Sequence, residues 1–239
     1  MSIIFSGNLR PIPQADLVAD AGDSQFDDLG DARSAANPGA RLLAAARDLF
    51  DEHGYAGAGI NEIIARSNTS KKSFYSYYPS KRDLGEAYLR EQEAHLLEQL
   101  DQMAGKYAGD YAAFVRAWAR SLKAGARLNQ RYGCPFASTA AQTSDEFSEL
   151  LGSIVSGWSA KLEVFLSDCF SEFSRQQIRT LSRLILVQYE GSIQMWRLTK
   201  DPNYFDLFEG ATGALPIAVQ NLRSGGRRPV RARSKHKSF

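Results

Sequence analysis

The stretch from Gly59 to Lys81 constrains this chain more than any other. Ile60, Ile63 and Ile64 fall at i, i+3 and i+4, which gives a short helix one apolar face. Ser67-Asn68-Thr69 then breaks the pattern with turn formers, and Asn68 stands where the chain needs a residue that tolerates a left-handed backbone. Ser70 is placed to cap a second helix by accepting a backbone N–H bond, and Pro79 ends it. Phe74 and Tyr78, four apart on that second helix, can point inward, which leaves Lys71, Lys72, Ser73, Ser76 and Tyr77 on the outer faces. The pattern predicts a helix-turn-helix. A short helix offering lysines, hydroxyls and a phenol, braced from behind by aromatic rings, suits a DNA major groove.

A preceding helix completes the unit. Asn37-Pro38 supplies a cap and a first-turn proline, and Leu42, Leu43, Ala46, Leu49 and Phe50 form a stripe that must bury against the two short helices. Gly54 follows, where a left-handed stop is cheapest for glycine. From Arg41 to Leu89 the chain resembles the TetR family of bacterial transcriptional repressors. The resemblance is carried by Leu-Leu-Ala-Ala-Ala-Arg-Asp-Leu-Phe (42–50), His-Gly-Tyr (53–55) and Ser-Lys-Lys-Ser-Phe-Tyr-Ser-Tyr-Tyr-Pro-Ser-Lys (70–81). It implies an all-α homodimer with an N-terminal three-helix DNA-binding domain and a larger helical domain for effector binding and dimerisation. It also implies DNA contact by Thr69, Ser70, Lys71, Lys72 and Ser73, with Tyr77 and Lys81 resembling the family's phosphate contacts. The chain departs from the family at three places. Ala58-Gly59 stands where hydroxyl residues usually cap the second helix and touch a phosphate, Asn68 replaces the usual turn glycine, and Lys72 replaces a usually small residue.

Charge is unevenly distributed along the 239 residues, although the net charge is only +2. Residues 1–37 carry six Asp against two Arg and show no sustained periodicity, so they read as a disordered acidic arm that phosphates would repel. Residues 223–239 carry five Arg and two Lys, all but Arg223 beyond Ser224-Gly225-Gly226, and read as a basic disordered tail, either solubilising or a sequence-independent attraction to DNA. Between them the expected domains are 38–83 for the helix-turn-helix unit and 84–222 for the effector-binding and dimerisation unit.

The second unit is read from helical stripes. Leu84, Ala87, Tyr88, Ala94, Leu97, Leu100 and Met103 carry a long helix that links the DNA reader to everything downstream. Tyr107, Tyr111, Phe114, Trp118 and Leu122 follow, an aromatic stripe that reads as core first and can also wall a pocket. Gly133-Cys134-Pro135-Phe136 breaks the chain ahead of a short helix. The Gly-Cys pair resembles one branch of the family, in which a cysteine at a helix start lines the effector cavity. A thiol at a helix N-terminus is drawn toward the thiolate, which allows oxidant or electrophile sensing; the plain reading is a small buried hydrophobe. Leu150, Ile154, Trp158, Leu162 and Phe165 mark the next helix. Ser174–Lys200 carries two apolar faces, one with Ile178, Leu181, Ile185, Tyr189 and Trp196 and one with Leu184, Val187, Gly191, Met195 and Leu198, so it needs a partner inside its subunit and another outside it. In the last helix Leu207, Ala211, Leu215, Ala218 and Leu222 are expected inward, with a kink or break near Thr212–Pro216.

These readings bound the function. No segment approaches the ~18 consecutive apolar residues of a membrane span. Cys134 and Cys169 lie apart without metal-ligand spacing, so a reducing cytoplasm is expected and neither metal nor cofactor is. Paired carboxylates with a nucleophile, a Gly-rich phosphate loop and His-based motifs are all missing, which argues against an enzyme. The expectation is a ligand-responsive repressor that binds a palindromic operator as a homodimer and is released by a small apolar or aromatic effector. The resemblance places that effector among Phe114, Trp118, Cys134, Phe136 and Trp158. The alternatives are an effector-independent DNA-binding dimer and a regulator that senses oxidants or electrophiles through Cys134.

Overall fold

The computed structural model describes residues 37–128 and 133–221. The acidic arm expected over 1–37, except Asn37, together with Leu222 of the last helix and the basic tail over 223–239, lies outside the described residues. Among those described, the chain forms nine helices and no strand. The first three are α1 (Pro38–Gly57), α2 (Ile60–Arg66) and α3 (Lys71–Tyr77). Asn37 caps α1 through its side chain, which accepts from Ala40 N at 2.9 Å. Gly54 breaks α1 at φ 75° and ψ 166°, a conformation that is cheap only for glycine, and one further turn follows. Leu42, Ala46 and Leu49 from α1, Ile63 from α2 and Phe74 from α3 form a closed core, each with essentially no exposed surface.

The long helix α4 (Lys81–Lys106) starts at Ser80, whose hydroxyl accepts from Asp83 N. It packs on α1 and is pinned there by a two-pronged ion pair from Arg47 to Glu91, with N–O distances of 2.7 and 3.0 Å. Its inward stripe is Leu84, Gly85, Tyr88, Leu89, Gln92, Leu96, Leu100 and Met103. The periodicity of apolar residues alone favours Ala94, which is exposed, and passes over Gln92, which is fully buried.

The larger unit comprises α5 (Tyr111–Leu128), α6 (Pro135–Thr143), α7 (Ser148–Cys169), α8 (Arg175–Thr199) and α9 (Asn203–Asn221). Here α9 packs on α8 and α5, α7 packs on α8 and α4, and the short α6 lies against α1 of the reader unit. A reciprocal capping box between Ser174 and Gln177 starts α8.

Two expectations about α9 fail. The helix runs unbroken through Pro216. Proline lacks the N–H that would bond the carbonyl four residues back, and that carbonyl, on Thr212, instead accepts the buried Tyr111 hydroxyl at 2.7 Å. A partner from α5 thus satisfies the group that would otherwise favour a break. The inward face is also rotated from the expected one. Phe205, Phe208, Thr212 and Val219 are buried, whereas Leu207, Ala211 and Ala218 face out. Aromatic side chains at 205 and 208 take the core because they bury more apolar surface than the leucine and alanines opposite.

Candidate nucleic-acid interface and its coupling to the core

The reader helix α3 is set up locally. Asn68 adopts φ 49°, and Ser70 caps α3 by accepting from Ser73 N at 3.0 Å. By contrast α2 begins at Gly59 with no side-chain cap, as the Ala58-Gly59 departure implies. Behind the turn, Arg41 on α1 donates from its guanidinium to the carbonyls of Ser67 and Asn68 at 3.2 and 3.3 Å. Sequence reasoning did not find this role for Arg41, because its partners lie about seven helical turns away along the chain. A hydroxyl pair, Ser67 Oγ and Thr69 Oγ1 at 2.8 Å, closes the turn.

The outer face of α3 carries most of the candidate contacts. Lys71, Lys72 and Tyr77 are exposed, Thr69 and Ser73 are half-buried at the edge, and Ser70 is exposed at the cap. Phe74 is buried, and the Tyr78 hydroxyl donates to Gly39 O at 3.2 Å. The Tyr77 ring lies over Gly39, with its Cδ1 only 2.5 Å from where a Cβ would stand. Glycine on α1 therefore makes room for the phenol. Lys81 is placed differently from the other basic residues. Its ammonium sits 4.6 Å from the Tyr55 ring centroid and 3.4 Å from Ala56 O, and burial lowers its pKa from the ordinary lysine value.

That lysine belongs to a junction which ties the reader unit to the core. The Tyr55 hydroxyl donates to Glu146 Oε1 at 3.1 Å, and its ring meets buried Phe147 edge-on at 5.2 Å. Phe50 packs on both Tyr55 and Tyr88 at 5.2 and 5.1 Å. Gln142 on α6 accepts from Ala56 N at 3.0 Å, and a Cβ on Gly54 would stand 2.3 Å from its Oε1. Arg82 faces the Phe147 ring and reaches Glu146 O. None of Gln142, Glu146 and Phe147 was singled out from the sequence, because nothing local to them signals a partner on α1.

A cavity of about 430 Å³ opens beside this junction. Phe50, Gly54 and Tyr55 line it from α1, Tyr88 from α4, Ser138, Thr139 and Gln142 from α6, and Arg197 and Lys200 from the end of α8. Of the five residues expected around an effector, it touches Cys134 alone. Phe136 is buried on α6. Phe114, Trp118 and Trp158 meet in a ring cluster deeper in the core: Trp118 lies 5.6 Å from Phe114, 6.3 Å from Trp158 and 5.4 Å from both Tyr189 and Phe208.

Cys134 is the N-cap of α6, and its Sγ accepts from Ala137 N at 3.5 Å. The expected pull toward the thiolate does not prevail. Burial raises the thiol pKa far above its ordinary value, the nearby Glu190 carboxylate raises it further, and the helix N–H groups offset only part of this. Cys169, only half-buried, is raised as well, again chiefly by burial. Native protein treated with iodoacetamide should therefore lose Cys169 first, with Cys134 well behind, as read by mass spectrometry. Faster modification of Cys134 would mean that its thiol is far more accessible and more acidic than this geometry allows.

Comparison with known proteins agrees with the fold and the reader. Residues 42–88 match the family described as bacterial regulatory proteins, tetR family. An uncharacterized HTH-type transcriptional regulator from Lactococcus lactis is 26% identical over 175 residues, 70% of this chain and 86% of the relative. The transcriptional regulator AcuR of Cereibacter sphaeroides is 24% identical, over 72% of this chain and 82% of its own. In three dimensions the regulatory protein TetR from Rhodobacter sphaeroides superimposes with a TM-score of 0.64 at 22% identity, over 74% of this chain and 97% of that one, which speaks for the fold. The reader unit over residues 42–88 is thus that of the bacterial regulatory proteins of the tetR family, a DNA-binding helix-turn-helix unit of transcriptional regulators, and it is joined to a helical core whose fold is shared with solved regulators of that family.

Proposed function

We propose that this regulator is a cytoplasmic, ligand-responsive repressor that holds a palindromic operator as a homodimer and lets go when a small apolar or aromatic effector binds. The observation that carries this reading is the junction. The reader unit meets the core through Tyr55, Phe147, Gln142 and Glu146, so a change in core packing shifts the spacing of two reader helices in a dimer. An effector can release DNA only by favouring the arrangement that DNA disfavours. Its proposed surroundings are Phe114, Trp118, Cys134, Phe136 and Trp158. Footprinting on the promoter regions beside the protein's own gene tests the reading: a protected palindrome that is lost on adding an effector supports it, and no protected site overturns it. The close packing of the Trp118 cluster supports a second reading, a DNA-binding dimer without an effector, in which no compound releases the footprint.

Dimerisation is proposed through α8 and α9. Val187, Met195 and Leu198 on α8 and Leu207 and Ile217 on α9 are large apolar side chains left exposed on neighbouring helices. Such a patch is rare on a monomer. Gly191 lies within the same α8 stripe, with nothing near the place of its absent Cβ, and permits close helix approach.

On the operator, Thr69, Ser70, Lys71, Lys72 and Ser73 are proposed to meet the groove, with Tyr77 and Lys81 on phosphates. Lys72 is exposed one turn before Ser76 and can reach the N7 and O6 acceptors of a guanine, an interaction worth about 1–3 kcal/mol of discrimination. Lys72→Ala should relax the preference at one or two symmetric base pairs per half-site. Lys81→Ala should weaken all sequences alike and flatten the salt dependence by roughly one unit for each phosphate that is no longer neutralised. Binding-site selection separates the two: an unchanged motif for Lys72→Ala would reduce that lysine to a backbone anchor. Lys81 rests on the Tyr55 ring, so that ring orients the ammonium proposed to meet the phosphate.

A further inference from the structure

The cavity beside the reader–core junction has a lining that neither the operator contacts nor the Trp118 cluster uses. Part of that lining is aromatic. Phe50 and Tyr55 from α1 and Tyr88 from α4 are buried rings, with Phe50 packed on the other two at 5.2 and 5.1 Å. Another part is cationic. Arg197 in the last turn of α8 and Lys200 at its end both line the cavity and both are exposed. The Arg197 guanidinium lies along the backbone ahead of α6, with Nη1 and Nε 3.2 and 3.3 Å from where a Cβ on Gly133 would stand. The Lys200 ammonium is 4.4 Å from the Trp196 ring centroid. Ser138 lines the cavity from α6; its Oγ accepts from Gln142 Nε2 at 3.4 Å, which leaves its own O–H to donate.

The charge of this lining favours an anion. Two cations are set against one acid, Asp51, and the His53 ring lies 3.7 Å from both Glu52 and Glu62. Glu190, whose charge reaches the Cys134 thiol, is not among the lining residues and accepts from Gln194 Nε2 at 2.7 Å. Arg197 takes part in none of the ion pairs among the described residues. The start of α6 adds little, because Cys134 Sγ already takes the Ala137 N–H. A volume of about 430 Å³ is within the range of small-molecule sites. We propose that this cavity is a ligand site, separate from the Trp118 cluster, that takes an organic monocarboxylate with a flat aromatic body. The carboxylate pairs with the Arg197 guanidinium, whose planar fork suits it, with Lys200 and Ser138 as further donors of the same lining. The ring lies against Phe50 and Tyr88. A second negative charge would meet Asp51, and a cation would meet Arg197 and Lys200. So seated, the ligand touches α1 of the reader unit and α6 and α8 of the core at once.

The test titrates the full-chain protein with 2-naphthoate, 2-naphthamide and inorganic phosphate, which offer ring and charge, ring alone and charge alone. Calorimetry is read on wild type, on Arg197→Gln and on Ser138→Leu, which fills the cavity. Arg197 is exposed, so its replacement leaves the fold intact. The expected result is 2-naphthoate binding at least about tenfold tighter than either other probe. Arg197→Gln should abolish its advantage over the amide, and Ser138→Leu should abolish binding of both. An amide that binds as tightly as the acid overturns the anionic head. Phosphate binding as tightly as the acid overturns the aromatic body. Acid binding undiminished in both variants overturns the location, and failure of all three probes to bind wild type overturns the site itself. None of these outcomes depends on the effector reading, which the footprinting assay judges separately.

Discussion

Glutamate at both Val187 and Leu198 should leave the protein monomeric and weaken its hold on a two-fold operator by about 10²–10⁴-fold. The two side chains are 65% and 79% exposed in the single chain and contribute nothing to its own core. A charge at either place is therefore harmless to the fold and costly only where a second copy covers the face. Leu184, which the sequence put on the same face, is a poorer probe because it packs partly against its own subunit. Without the dimer, the second reader helix no longer benefits from the high effective concentration that the first one creates. Sedimentation of the double variant, with operator titrations at the same concentrations, reads both effects. A surviving dimer would show that the wrong surface had been chosen. A monomer with undiminished operator binding would show that the dimer is not the binding unit.

Trp118→Ala should cost about 3–5 kcal/mol of stability and lower the melting temperature by roughly 10 °C. Trp118 has no exposed surface and is in ring contact with Phe114, Trp158, Tyr189 and Phe208, drawn from α5, α7, α8 and α9. Truncation leaves a cavity that four helices would have to collapse around, and they are held apart by the rest of their packing. A ring that stood mainly in open space, rather than bordering the effector from within the packed core, would behave otherwise. Its loss would change stability little and remove the effector response. Chemical denaturation of the variant, beside its operator release by effector, distinguishes these cases. A cost below about 1 kcal/mol would show that the cluster is loosely packed around a ligand space, against the reading of Trp118 as core.

What the sequence determined by itself was whatever depends on residues within about one helical turn of one another. Asn68 in the turn, Ser70 at the cap, Phe74 behind the reader helix and the lysines in front of it are all fixed by local chemistry and by the 3.6-residue period. The succession of helices was legible for the same reason. Tertiary structure alone decided the partners that lie far along the chain. Gln92 breaks an apolar pattern and so looks like a surface residue, yet the packing of other helices on α4 buries it completely. Pro216 looks like a helix breaker, and only Tyr111, 105 residues earlier, supplies the hydroxyl to the carbonyl it leaves open. The inward face of α9 is not legible because leucine and alanine at one spacing and phenylalanine at another both satisfy a helical period, and only packing against α5 and α8 selects between them. Gln142, Glu146 and Phe147 carry no local signature, and they join reader to core because α6 comes to rest on α1. Periodicity specifies which helices have apolar faces, but the orientation of each face is settled by which neighbour buries more surface with fewer polar groups left unpaired.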